Sequence, residues 1–187
     1  MKKSLLKLSW VLYLIILVTL TVQAQEEIAE DTTWKTNYRS FATKENDLVH
    51  TKLVANFDYT QSQLNGEVWL QLRPHFYATA QLILDAKGME IHNVSIVKKE
   101  TKNALKYKYD GNIISIDLDK TYTANEVYTI YIKYTAKPNE YKAKGSEAIT
   151  DAKGLYFINP LGKEKNKPTQ IWTQGETEGT SVWIPII

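Results

Sequence analysis

Apolar and polar residues alternate from Leu48 onward, and this alternation limits the fold more than any other feature of the sequence. Side chains of a β-strand point alternately to its two faces, whereas a helix would need apolar residues three or four positions apart. The segment 48–59 therefore predicts a strand with one buried face. The side chains expected on that face are Val49, Leu53, Ala55, Phe57 and Tyr59.

Similar runs follow at short spacing, with turn signals between them. The segment 61–66 is turn-like, Pro74 ends the next run, and Asp110-Gly111 predicts a tight hairpin turn. The run at 80–85 is continuously apolar, which favours a strand buried on both faces. Strands are predicted at 48–59, 68–73, 80–85, 89–97, 105–109, 114–118, 126–136, 154–158 and 170–174. Since no segment has the period of an amphipathic helix, we predict an all-β fold, a mostly antiparallel β-sandwich or saddle-like sheet.

The residues before this pattern have a different character. Lysines among the first seven residues are followed by an apolar run at 10–20 and by small residues up to Ala24. This order is typical of a secretory signal peptide, and the run is shorter than the ~20 apolar residues that a bilayer crossing needs. We expect residues 1–24 to be a cleaved signal peptide, with an uncleaved anchor as the alternative. Residues 25–46 are then a flexible acidic and polar linker, and 47–187 the folded domain, located in the periplasm or outside the cell and either free or membrane-associated.

Composition excludes several classes of function. The formal net charge is +2 and becomes about −1 without the lysines of the signal peptide, so no basic patch supports nucleic-acid binding. The absence of cysteine excludes disulfides and thiolate chemistry. His50, His75 and His92 lack a second ligand at metal spacing, which favours surface or cross-strand roles for all three.

Gln174 and Glu176 are the candidate substrate-binding residues. They lie two positions apart on a short run expected to be extended, so both side chains should point to the same face and bring an amide beside a carboxylate. From the residues alone, Glu176 is more simply a carboxylate of a solvated loop, because Thr177 and Glu178 follow it.

A family resemblance favours the functional interpretation. The order Thr173-Gln174-x-Glu176, followed by Ile184-Pro185, resembles the exopeptidase segment of the aminopeptidase N-like zinc aminopeptidases, the gluzincin group that includes leukotriene hydrolase. Further likenesses at 82–95, 113–118, 127–134 and 154–156 extend the resemblance over 47–187 in the right order. The segment 177–183 departs from the family, since it lacks the Ala-Arg pair usual there.

The resemblance implies an N-terminal β domain that packs in cis against a thermolysin-like catalytic domain. Glu176 would then accept the α-ammonium group of a peptide N-terminus, and Gln174 would line the pocket beside the first residue. The family's zinc is held by an H-E-x-x-H motif and a downstream Glu, which this chain lacks. We therefore expect no catalytic residues, no zinc bound by this chain and no activity of this chain alone, with the catalytic domain missing after Ile187.

The alternative is a stand-alone exported β-sandwich that binds peptides or proteins and is not an enzyme. The apolar run 182–187 argues against it, because that run is typical of a strand cut short and exposed to aggregation.

Overall fold

The computed structural model describes residues 43–142, 153–176 and 178–187. The predicted signal peptide and residues 25–42 of the predicted linker lie outside them. The compact unit starts at Thr43, and its first strand starts one residue before the predicted domain boundary. The strands are β1 Asn46–Asp58, β2 Gln63–Pro74, β3 Thr79–Asp85, β4 Met89–Lys98, β5 Thr101–Ala104, β6 Tyr107–Tyr109, β7 Ile113–Tyr122, β8 Tyr128–Ala136, β9 Leu155–Ile158 and β10 Gln170–Thr173.

The largest sheet has five antiparallel strands in the order β1, β2, β8, β4, β5. Burial alternates along β2, as its sequence predicts, and Leu64, Val68 and Leu72 are fully buried on its inner face. β8 lies between β2 and β4, so both of its edges are paired. This central position agrees with its high content of β-branched and aromatic residues.

A three-stranded antiparallel sheet, in the order β3, β7, β6, contains the predicted hairpin. The carboxylate of Asp110 accepts backbone hydrogen bonds from Asn112 and Ile113 at 2.8 and 2.7 Å. Gly111 has φ +93°, a conformation that glycine adopts at little cost. The tight-turn prediction at Asp110-Gly111 is therefore confirmed.

β9 and β10 form a separate antiparallel hairpin, and a 3₁₀ helix follows at Gly179–Val182. The chain then returns to the three-stranded sheet, where Ile186 and Asp85 exchange two backbone hydrogen bonds of 2.8 and 3.0 Å.

One apolar cluster joins these elements and includes buried residues from β2, β3, β4, β7, β8 and β9, together with Ile184. The described residues contain no α-helix, and no helix among them is long and apolar enough to cross a membrane. The prediction of an all-β, antiparallel sandwich is confirmed.

Two expectations for the first strands were wrong. The predicted turn at 61–66 is shorter, because Ser62 adopts φ +53° and β2 starts at Gln63. Gly66 lies inside the strand under the ring of Tyr134, where a Cβ atom would come within 2.4 Å of the ring. Of the side chains expected on the buried face of β1, only Leu53 is partly buried against the core. Val49, Phe57 and Tyr59 are 51%, 38% and 39% exposed, and Ala55 is exposed as well. A bulge between Leu48 and His50 interrupts the pairing at Val49.

The run at 80–85 is buried on one face only. Leu82 and Leu84 are fully buried, whereas Ile83 between them is 48% exposed. β3 lies at the edge of its sheet, and Gln81, on the same face as Ile83, is exposed as well.

The predicted strand at 105–109 is divided between two sheets. The backbone N–H of Leu105 donates to Val94 of β4, while the carbonyl of the next residue, Lys106, accepts from Asp117 of β7. The chain changes sheets at this point, so β5 ends before Leu105 and β6 begins after Lys106.

The run 182–187 is largely buried, contrary to the expected exposed edge. Val182 ends the 3₁₀ helix and is 2% exposed, and Ile184 is 8% exposed in the core cluster. The tyrosine hydroxyl of Tyr134 donates to the carbonyl of Trp183 at 2.9 Å. Val182 and Ile184 are therefore packed into the fold, whereas Ile187 is 43% exposed.

Candidate functional site

Gln174 and Glu176 lie on the loop that follows β10. The strand ends at Thr173, so the expected extended run does not reach Glu176, which lies in a turn. The side chains nevertheless meet, because Nε2 of Gln174 donates to Oε2 of Glu176 at 3.1 Å. The turn, not strand alternation, brings the amide and the carboxylate together.

Close backbone contacts hold the base of this loop. The N–H of Gln174 donates to the carbonyl of Gly154 at 2.9 Å, which extends the β9–β10 ladder by one residue. Gly154 has φ +67°, and a Cβ atom there would lie 1.8 Å from the carbonyl oxygen of Gly179. A Cβ atom on Gly179 would in turn lie 2.7 Å from the carbonyl oxygen of Gln174. The two glycines let three backbone segments approach directly beneath the candidate site.

The two glutamates near the site have different partners. Lys87 forms an ion pair with Glu178, so that carboxylate already has a cation. Glu176 is exposed and accepts a hydrogen bond from the neutral amide of Gln174, and it has no Lys, Arg or His partner among the described residues. A carboxylate in this state can accept a charge-assisted hydrogen bond from an external ammonium group.

An open groove of about 790 Å³ lies on the Glu178 side of this region. Its lining includes Lys87, Asn112 and Tyr141, but neither candidate residue. The groove is therefore a separate feature, and the candidate site is an exposed surface next to a hairpin.

Two aromatic residues of the hairpin belong to the same surface. The rings of Tyr156 and Trp172 stack with their centroids 4.4 Å apart and an interplanar angle of 11°. Trp172 lies two residues before Gln174 and is 45% exposed. Sequence reasoning did not single out this pair, although an aromatic residue two positions before Gln174 on a predicted strand was a signal that could have pointed to it.

Two of the described histidines make hydrogen-bond contacts with neighbouring strands or loops. His75 Nδ1 lies 2.9 Å from Asp47, and hydrogen bonds from Lys44 and then from His75 hold the pKa of Asp47 well below its usual range. His92 Nε2 lies 2.9 Å from the hydroxyl of Thr135 on β8, a cross-strand contact. In residues 43–142, 153–176 and 178–187, no group of three His, Asp or Glu side chains could hold a metal ion, so these residues do not fit a zinc site.

Solved structures with a similar fold include M1 zinc metallopeptidases and a leukotriene A4 hydrolase. An M1 zinc metallopeptidase mutant from Deinococcus radiodurans, bound to a Tyr-Ser-Ala substrate, aligns with a TM-score of 0.60 and 15% identity over 80% of this chain and 31% of its own. Native leukotriene A4 hydrolase from Saccharomyces cerevisiae aligns with a TM-score of 0.55 and 16% identity over 82% of this chain and 24% of its own. At these identities the likeness shows the fold, and the chain spans a third or less of the length of either structure.

Comparison with curated protein sequences finds no match. The family model of the peptidase M1 N-terminal domain matches residues 36–187, which is most of the chain and includes every described strand as well as Gln174 and Glu176. The chain therefore belongs to the M1 peptidase family, and the part that the model matches is the family's N-terminal domain.

Proposed function

We propose that this chain forms the substrate-binding edge of an exported M1 zinc aminopeptidase that removes N-terminal residues from peptides. In this role Glu176 pairs with the α-ammonium group of the substrate, and Gln174 fixes the orientation of the carboxylate. The observation that carries the proposal is the hydrogen bond from Gln174 to Glu176 on an exposed loop, with no cation beside Glu176 among the described residues.

The contact has the right chemistry for recognition of an amine. The amide of Gln174 donates to Oε2 and adds no positive charge, so the carboxylate keeps its attraction for a cation while Oε1 can face a ligand. A hydrogen bond to a charged group contributes about 1.5–3 kcal/mol. That energy is enough to favour a free N-terminus over an internal peptide bond.

Peptide hydrolysis would need groups that the described residues do not supply. We propose that a thermolysin-like domain in cis holds the zinc ion, which would activate water for attack on the peptide bond. The role of this chain is then to bind and orient the N-terminus. The 187-residue chain, supplied with zinc, should not hydrolyse an aminoacyl-nitroanilide, and measurable hydrolysis would show that its own residues are sufficient for catalysis.

Export is the remaining part of the proposal. It rests on the N-terminal lysines and the apolar run that precede Ala24. N-terminal sequencing of the protein recovered from its native cells should give Gln25 as the first residue, and recovery with the run retained would contradict cleavage.

Binding of a free amine by Glu176 is measurable with the 187-residue chain. We expect L-alaninamide to shift the NMR signals of the loop that follows β10, whereas N-acetyl-L-alaninamide, which lacks the ammonium group, should not. Glu176→Gln should weaken alaninamide binding about tenfold, the lower end of the range for a charge-assisted hydrogen bond.

Glu164→Gln is the matched control, because Glu164 is an exposed carboxylate that pairs with Lys167 at 2.9 Å. Equal loss in both variants would mean that net charge, and not Glu176, attracts the amine. Sequencing the source transcript past the Ile187 codon separates the aminopeptidase from a stand-alone binding module, since the former requires H-E-x-x-H in the same reading frame.

A further inference from the structure

Tyr156 and Trp172 form an aromatic surface that the core does not use. Trp172 is 45% exposed and lies outside the core cluster. The opposite face of the same hairpin provides the anchor, because Phe157 makes edge contacts with Phe57 and Tyr59 at 6.3 and 5.8 Å between ring centroids. Trp172 therefore lies on the face of the hairpin opposite to the one that carries this anchor.

The register of the hairpin places this stack in line with the amine site. Trp172 pairs with Tyr156, and two residues further along Gln174 bonds to the backbone of Gly154. Residues two apart on a strand share a face, so Trp172 and Gln174 lie on the same side of the hairpin. Gly154, opposite Gln174, has no side chain to cover that side.

The distance between the positions of Trp172 and Gln174 is comparable to the size of one amino acid. Two residues along a strand span about 7 Å, which is the distance from the Trp172 position to the Gln174 position. Aromatic rings interact at centroid separations of about 4.5–7 Å. A ring carried on the Cα atom of the bound amino acid can span this distance if its ammonium group pairs with Glu176 beside Gln174, which contacts Glu176 at 3.1 Å.

We propose that Trp172, held flat by Tyr156, is a specificity-determining residue that selects peptides with an aromatic first residue. The inference rests on the proposed function, because it places the N-terminal amine at Glu176. Gln174 lies between the two contacts and touches Glu176 directly. The stack then recognises the side chain, while the carboxylate recognises the amine.

The test compares L-phenylalaninamide with L-alaninamide, two probes that carry the same ammonium group. Dissociation constants are measured by NMR titration of the 187-residue chain. We expect phenylalaninamide to bind about tenfold more tightly, since a new ring contact and additional apolar burial both favour it. Trp172→Ala should abolish this preference and leave the affinity for alaninamide unchanged.

Two further variants keep the result interpretable. Trp172→Thr retains a residue with high strand propensity and should behave like Trp172→Ala. Tyr77→Ala removes an aromatic side chain that is 83% exposed on the loop between β2 and β3, and it should leave the preference intact.

Each outcome separates the inference from the proposed function. Equal affinities of the unchanged chain for the two probes would overturn the aromatic subsite and leave amine binding by Glu176 in place. A preference that survives both Trp172 substitutions would also overturn it. Failure of both probes to bind would overturn the proposed function, and the subsite with it.

Discussion

Gly154 shows how one residue without a side chain can determine the geometry of a site. Its φ of +67° lies in the left-handed region, and the carbonyl oxygen of Gly179 occupies the place where a Cβ atom would be. The carbonyl of Gly154 accepts the hydrogen bond that continues the hairpin into Gln174. A larger residue here must displace the backbone that holds the candidate site.

Gly154→Ala is therefore expected to destabilise the fold by more than the conformational cost of about 1–2 kcal/mol for a left-handed residue. Gly111→Ala is the matched control, because Gly111 also has positive φ but a Cβ atom there would meet nothing within 4 Å. Urea denaturation of both variants measures the difference in the free energy of unfolding. Equal losses of unfolding free energy in the two variants would mean that the close approach of Gly179 adds nothing to the destabilisation.

The turn between β7 and β8 contains a carboxylate, Glu126, whose contribution to the stability of the fold depends on pH. Glu126 accepts hydrogen bonds from Lys120 and from the backbone and hydroxyl of Thr123, the latter two at 2.9 and 3.1 Å. The hydrogen bond from Lys120, followed by those from Thr123, lowers the pKa of Glu126 to about 2. The turn is thus held by the ionised carboxylate at the point where the chain enters β8.

A lowered pKa in the folded state means that Glu126 stabilises the fold above the ordinary glutamate value of 4.5 and loses this contribution as the pH falls towards about 2. Glu126→Gln should therefore lower the thermal midpoint at pH 6, and the gap from the unchanged chain should narrow at pH 2.5. Glu100→Gln, which changes an exposed turn carboxylate, controls for the loss of one charge. A gap that stays constant between the two pH values would contradict the assignment.

At the scale of the whole compact unit, one apolar cluster is shared by the five-stranded sheet, the three-stranded sheet and the β9–β10 hairpin. Ile116 of β7 is fully buried in this cluster, while Ile113 of the same strand is 40% exposed. Loss of packing at Ile116 should therefore destabilise the other elements that share this cluster as well as its own sheet.

We expect a single unfolding transition in which tryptophan fluorescence and far-UV circular dichroism coincide. Ile116→Ala should lower the free energy of unfolding by about 2–5 kcal/mol in both signals, because it removes buried methyl groups. Ile113→Ala should change it by less than about 0.5 kcal/mol, as a surface substitution does. Separate transitions in the two signals would mean that the sheets unfold independently.

Local chemistry determined much of the fold in advance. The alternation along β2 and the turn at Asp110-Gly111 follow from the geometry of a strand and from the conformational freedom of glycine, and both depend on residues that are neighbours in sequence. The candidate pair Gln174 and Glu176 was named through the family resemblance, because the local argument from strand alternation does not hold in the turn where Glu176 lies.

The strand neighbours and the close contacts between distant segments depend on the tertiary structure, and no local sequence pattern contains them. β8 pairs with both β2 and β4, Gly66 is needed because Tyr134 covers it, and the chain changes sheets between Leu105 and Lys106. The Tyr156–Trp172 stack likewise depends on the register of two strands that are separated by a long loop. The sequence by itself determined the strands, most turns and the all-β class, because these depend on local backbone geometry. Strand neighbours and the surface around Glu176 were decided only by the packing of distant segments into one core.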